Sequence, residues 1–123
     1  MHLQESGEMY LETILRLSKK NDIIRAIDIG EEMGYSKPSV SRAIGLLKRA
    51  GYVVADKDGH LSLTESGKSV AEKIYERHTL FTRLLITFGV DEAVAVKDAC
   101  KMEHAISDVS FEAIKKYLAE KMD

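Results

Sequence analysis

Cys100-Lys101-Met102-Glu103-His104 sets a thiol, a carboxylate and an imidazole at positions i, i+3 and i+4. On a helix those positions share one face, so the three side chains are expected to converge. Thiolate, carboxylate and imidazole aimed at one point are a donor set for a divalent transition metal. His78 is a further imidazole, set beside apolar Leu80, Phe81, Leu84 and Leu85. Near the N-terminus Met9 and Glu12 stand at i and i+3 and add a thioether and a carboxylate. These six metal-capable side chains fall on three predicted helices. Cys100 is the single cysteine, which excludes an internal disulfide and a four-cysteine zinc site within one chain.

A second chemistry resides in Met33 to Ala55, which holds Lys37, Arg42, Lys48 and Arg49 and no acid. The whole chain is slightly acidic, at −2, so this stretch marks a face suited to an anion. Ser36, Lys37, Pro38, Ser39, Ser41 and Arg42 open the helix predicted there. Serine hydroxyls donate to or accept from either base type, proline offers apolar surface to a thymine methyl, and Arg42 could read guanine or hold a phosphate. Lys48 and Arg49 come later and suit phosphates. Lys57 and His60 flank a predicted hairpin tip, in reach of the nucleic-acid backbone.

The elements that must position these groups read as follows. Tyr10 to Ser18 is an amphipathic helix, with Leu11, Ile14, Leu15 and Ser18 at i, i+3, i+4 and i+7 and with Ser6 and Glu8 suited to its first turn. A short helix spans about Arg25 to Met33 and stops at Gly34. The next starts at Ser36, tolerates Pro38 in its first turn, buries Val40, Ile44 and Leu47, and ends near Ala50. Residues 52–63 read as a hairpin around Asp58-Gly59. Thr64 caps a long helix from Glu65 to Phe88, Asp91 starts another to about Ile106, and Ser107 or Asp108 caps a last one to about Lys121. Helix, helix, tight turn, helix and hairpin is the order of a winged helix-turn-helix, whose second helix of the pair enters the major groove. The expected class is mainly α with a small β-hairpin wing. Residues 1–64 form the DNA-binding domain and 65–123 a helical metal-binding and dimerisation domain.

Length and composition narrow the field. The chain has 123 residues, 45% hydrophobic and 31% charged, which supplies a core and excludes disorder. No apolar run reaches the roughly 18 residues of a membrane span. Met1-His2-Leu3-Gln4-Glu5 lacks the basic start and apolar stretch of a signal peptide, so a cytoplasmic protein is expected. A metal-dependent hydrolase needs an open coordination position and a general base in a cleft. No residue beyond the ligands is recognisable as that base, so the chain is not read as an enzyme. A metal-buffering protein would leave the acid-free helix and the wing without a role.

Five segments together resemble the diphtheria toxin repressor family of iron- and manganese-dependent repressors. They are Glu8-Met9-Tyr10-Leu11-Glu12, Ser36-Lys37-Pro38-Ser39-Val40-Ser41, Leu63-Thr64-Glu65-Ser66-Gly67, Arg77-His78 and Ala99-Cys100-Lys101-Met102-Glu103-His104. The resemblance covers nearly the whole chain and is to a short form without the family's SH3-like domain. It places the main metal ligands at Met9, Cys100, Glu103 and His104, as in the iron-responsive branch. Manganese-responsive members tend to have carboxylates where this chain has Met9 and Cys100. Soft sulfur donors favour Fe(II) and later metals over Mn(II), so Fe(II) is the expected cofactor and Mn(II) the alternative. Co(II), Ni(II) or Zn(II) are expected to substitute in vitro.

The iron branch's ancillary site is in doubt here, because Thr82 and Val96 stand where its other ligands belong. A second metal held by Glu12, His78 and Glu103 is the candidate in its place. The resemblance further implies a homodimer, with Phe81, Leu84, Leu85, Phe88 and Val90 as its apolar surface. It also implies a double-stranded, approximately palindromic operator and repression of metal-uptake genes when metal is plentiful. No organic substrate and no membrane partner are expected. The remaining alternative is a winged-helix thiol redox sensor that uses Cys100.

Overall fold

The computed structural model of the chain describes residues 5–121; the polar segment from Met1 to Gln4 lies outside the described residues. The described residues form six helices and one two-stranded antiparallel sheet. The chain divides into two compact units, Met1–Lys73 and Ile74–Asp123. The division falls inside the fourth helix rather than at its start.

In the first unit, α1 (Glu5–Ser18), α2 (Ala26–Met33) and α3 (Lys37–Arg49) pack pairwise on one another. Tyr10, Leu11, Ile14, Leu15, Ile29, Val40, Ile44 and Leu47 are buried. These are the positions that the 3.6-residue period selects on each helix. α1 begins at Glu5, ahead of the expected Tyr10, because its first turn is polar and carries no apolar period. α2 is entered with the Asp28 carboxylate accepting from the Arg25 N–H at 2.8 Å. It ends at Gly34, whose φ of 73° lies in the left-handed region and whose N–H donates to the Gly30 carbonyl. The Tyr10 and Tyr35 rings lie 6.1 Å apart, tilted by 53°, and link α1 to the turn before α3.

The wing consists of β1 (Val53–Ala55) and β2 (Leu61–Leu63), in the register Val53↔Leu63, Val54↔Ser62 and Ala55↔Leu61. Its base is fastened to α4 (Glu65–Thr87) at Thr64, whose hydroxyl donates to the Gly51 carbonyl at 2.6 Å and accepts from the Gly67 N–H at 3.1 Å. Gly67 is buried so closely against Tyr52 that a Cβ would stand 2.0 Å from the Tyr52 carbonyl oxygen. This contact assigns the first turns of α4 to the first unit.

The second unit holds the rest of α4, α5 (Glu92–Met102) and α6 (Asp108–Lys121). The Asp91 carboxylate caps α5 through the Ala93 N–H at 3.1 Å, and the Ser107 hydroxyl caps α6 through the Ser110 N–H at 3.2 Å. The core is Phe81, Ala99 and Phe111, with Leu80, Leu84, Met102, Ile106 and Ile114 packed around it. The two phenyl rings meet edge to face at 5.9 Å, an arrangement that adds about 0.5–1.5 kcal/mol beyond the area it buries. α5 ends at Met102, short of the expected Ile106. The carbonyls of Glu103 and Ile106 accept from the Arg77 guanidinium at 3.1 and 2.7 Å, which gives the segment after Met102 partners that a continued helix would not use.

Candidate metal centre and nucleic-acid interface

Glu103 lies at the C-terminal end of α5, its N–H donating to the Ala99 carbonyl at 3.0 Å, and its side chain is fully buried. Two imidazoles flank its carboxylate. Nδ1 of His78, from α4, is 2.9 Å from Oε2, and Nε2 of His104 is 3.2 Å from Oε1. Burial alone would raise the pKa of Glu103. The contacts with His104 and His78 outweigh burial and hold it below its ordinary value. The result is a buried, ionised carboxylate beside two side chains that are themselves metal donors. Oε1 faces His104 without the alignment of a hydrogen bond, so one buried oxygen retains acceptor capacity. One carboxylate flanked by two imidazoles is a donor set that fits a divalent transition metal.

The convergence expected from helical spacing is realised in part. Glu103 and His104 lie together, but beyond the end of the helix that carries Cys100. Among the described residues, no group of three that includes Cys100 has its ligand atoms within 4.8 Å of one another. Cys100 is half-buried and is not part of a disulfide. Met9 and Glu12 lie on α1, in the first unit. Met9 is half-buried, and Glu12 is buried with Oε1 3.6 Å from Arg16 Nε. Arg16 in turn reaches Glu32 of α2 at 3.8 Å.

Arg77 is the residue of this region that sequence reasoning passed over. It is only 5% exposed, and besides the two carbonyls it engages the Asp108 carboxylate. Its guanidinium lies 5.3 Å from the centroid of the Phe111 ring. The signal available in the sequence was its place beside His78, and that alone does not name its partners.

The residues expected to form a nucleic-acid face lie on α3 and the wing of the first unit. The Ser36 Oγ accepts from the Ser39 N–H at 3.3 Å and its hydroxyl donates to the Ser39 Oγ at 2.9 Å, which starts α3 with Pro38 in the first turn. Val40, Ile44 and Leu47 take the buried side, leaving Lys37, Ser39, Ser41, Arg42, Lys48 and Arg49 exposed. Lys57 is exposed at the hairpin tip. His60 is not free to reach outward in the same way. Its Nδ1 is 3.1 Å from Asp56 and its Nε2 is 3.0 Å from Arg25 Nη2, so it ties the tip to the start of α2. That link spans 35 residues and had no local signal.

Of the expected dimer surface, Phe88 is 73% exposed and Leu84, Leu85 and Val90 are half-buried. Phe81 requires correction. It is 1% exposed inside the second unit's own core and has no area left to present to a partner. Its stripe on α4 faces Phe111 and Ala99. No described helix is long and apolar enough to cross a membrane.

A three-helix unit with an exposed, acid-free helix and a hairpin wing, followed by a helical unit with a buried His-Glu-His cluster, defines a winged helix-turn-helix protein with a metal-capable domain. The chain belongs to the iron-dependent repressor family. Residues 2–61 match the family's N-terminal DNA-binding domain and residues 64–121 its metal-binding and dimerisation domain. The chain is 32% identical over 123 residues to an uncharacterized HTH-type transcriptional regulator of Methanocaldococcus jannaschii, covering 98% of each. It is 34% identical over 107 residues to the diphtheria toxin repressor of Corynebacterium diphtheriae, covering 86% of this chain and 47% of that protein. The chain thus spans about half the length of that repressor. Among solved structures, the manganese regulator SloR superposes with a TM-score of 0.81 at 30% identity, over 97% of this chain and 55% of that one.

Proposed function

We propose that the chain is a metal-dependent transcriptional repressor whose cognate ion is Fe(II), acting as a homodimer on an approximately palindromic operator of metal-uptake genes. The observation that carries this reading is the buried, ionised Glu103 between His78 and His104, in a chain whose other unit exposes a basic recognition helix. A bound divalent ion supplies positive charge and directional bonds to donors that otherwise satisfy one another. Glu103 offers its carboxylate without losing a proton. His104 and His78 donate as neutral imidazoles, and Cys100 donates as thiolate, so binding releases protons and weakens as pH falls. Met9, by correspondence with the family, contributes its thioether from α1, and the soft pair Met9 and Cys100 supports Fe(II) over Mn(II). Glu12 and His78, with Glu103, are the proposed ligands of a second ion.

In the DNA-reading unit, Ser36, Lys37, Pro38, Ser39, Ser41 and Arg42 meet base edges, while Lys48, Arg49 and Lys57 hold phosphates. Leu84, Leu85 and Phe88 form the proposed dimer contact. Effector coupling of this kind is worth about 1–3 kcal/mol, or roughly 5–150-fold in operator affinity. The test is fluorescence anisotropy on a palindromic DNA library, anaerobically and at fixed salt, with Fe(II), Mn(II) or chelator. Tightening by Fe(II) that Cys100→Ala abolishes supports the reading. Tightening by Mn(II) alone reassigns the ion, and binding indifferent to metal and chelator overturns the reading.

A further inference from the structure

We propose that Arg77 is a positioning residue of the metal centre, setting the main chain of the segment that carries Glu103 and His104. This inference rests on the metal-binding reading above. The need for such a residue follows from where α5 stops. Cys100 lies on a helix, and helical hydrogen bonds fix its backbone. Glu103 makes the closing bond of that ladder through its N–H, to the Ala99 carbonyl at 3.0 Å, while its carbonyl and the segment from His104 to Ile106 lie past the end of the helix.

The guanidinium supplies the missing constraint. Nη1 donates to the Glu103 carbonyl at 3.1 Å and the Ile106 carbonyl at 2.7 Å, and Nη2 donates to the Asp108 carboxylate at 2.5 Å. One rigid fork thereby holds the start of the segment, its end and the first turn of α6. The next residue, His78, meets the Glu103 side chain at 2.9 Å. Two consecutive residues of α4 thus grip Glu103, one by its main chain and one by its carboxylate. The ring of Phe111 backs the guanidinium on the core side.

Lysine cannot take this place. Its ammonium is a single point of charge on a flexible stem, whereas the fork reaches separate acceptors in fixed directions. The hydrogen bonds of Arg77 go to the Glu103 and Ile106 carbonyls and to Asp108, none of which is a proposed metal donor atom, so its effect on binding is exerted through the backbone it holds. Residues that orient ligands in this way typically change metal affinity by about 10–100-fold.

The experiment is an anaerobic Co(II) titration of the full chain, followed by visible absorption, for wild type, Arg77→Lys, Asp108→Asn and Glu103→Gln. Arg77→Lys is expected to bind Co(II) about 10–100-fold more weakly, with altered d–d bands and an unchanged far-ultraviolet circular dichroism spectrum. Asp108→Asn removes one exposed end of the fork and is expected to shift affinity and bands in the same direction by less. It carries the test should Arg77→Lys fail to fold. A purely structural role would lower the melting temperature and leave the bands of the loaded protein as in wild type, which overturns the inference. Wild-type affinity and bands in both variants do the same. A wild type whose Co(II) bands do not depend on Glu103 overturns the metal-binding reading itself, and the two failures are thereby distinguished.

Discussion

Nδ1 of His78 and Oε2 of Glu103 are 2.9 Å apart, across 25 residues of sequence. Together with the contact from His104, this contact outweighs burial and holds the Glu103 pKa below its ordinary value, at the cost of tying up one nitrogen of a residue that is itself a proposed ligand. Metal binding must therefore replace a hydrogen bond as well as make new bonds. Glu103→Gln preserves the shape but removes the charge that both imidazoles face. It is expected to weaken metal binding by more than the roughly 10–100-fold that outer partners of a ligand are worth. Isothermal titration under anaerobic conditions measures this, and near-wild-type affinity would remove Glu103 from the ligand set.

Substitutions on α3 are expected to separate into two kinds. Lys48→Ala and Arg49→Ala should each weaken DNA binding uniformly across sequences and reduce the slope of log affinity against log salt by about one. Arg42→Ala should relax the preference at one operator position, at a cost of about 1–3 kcal/mol. Affinities over a salt series, on operator and on scrambled DNA, distinguish the two. Equal losses on both DNAs for Arg42→Ala would place it on a phosphate.

Phe81 and Phe88 stand seven residues apart on α4 and should respond differently. Phe81→Ala opens a cavity in the second unit's core and is expected to cost about 3–5 kcal/mol of stability. Phe88→Ser is expected to leave the fold intact and shift the chain from dimer toward monomer. Thermal unfolding and sedimentation equilibrium read the two effects separately. A Phe88→Ser chain with undiminished self-association would remove Phe88 from the interface.

Gly67→Ala is expected to destabilise the first unit by about 1–3 kcal/mol through overpacking against the Tyr52 carbonyl. Neither that backbone nor the start of α4 can yield without disturbing the Thr64 hydrogen bonds. Melting curves compared with those of Gly45→Ala, which opens onto free space, give the contrast. Equal melting temperatures for the two variants would contradict the close contact.

The wing tip has its own dependence on acid. The His60 N–H donates to the Asp56 carboxylate, and this bond, with one from the Asp58 N–H and the nearby His60 ring, holds the Asp56 pKa below its ordinary value of about 3.8 against the opposing effect of desolvation. A carboxylate depressed on folding contributes stability above its unfolded pKa and loses it as pH falls through the folded one. The tip is therefore expected to stay ordered at neutral pH and to loosen only below the ordinary carboxylate range. An NMR titration of the Asp56 carboxyl checks the direction. A midpoint above about 3.8 would contradict it.

What the sequence discloses of this fold is chiefly what is local. Ser36, Thr64, Asp91 and Ser107 announce helix starts because each cap acts within three residues. Gly34 announces a stop because only its own backbone is at issue. The end of α5 was not legible, because the group that donates to the Glu103 carbonyl just past that end, Arg77, comes from 26 residues upstream. The same long reach sets Glu103 and His104 past the end of the helix that carries Cys100, which spacing alone does not foresee. Phe81 was misplaced for a different reason. α4 carries apolar residues on more than one face, and periodicity does not say which face meets α5 and α6. The DNA-reading residues were the more transparent set, since a charged or hydroxyl side chain opposite Val40, Ile44 and Leu47 has only solvent to face.

The fork of Arg77 has a kinetic corollary. Because one guanidinium serves Glu103, Ile106 and Asp108 together, none of the three can let go without weakening the hold on the others. Opening of the segment is then one concerted event rather than three small ones. Amide protons from Glu103 to Phe111 should exchange with solvent deuterium at a shared opening rate, as a single cooperative patch, instead of fraying residue by residue from the end of α5.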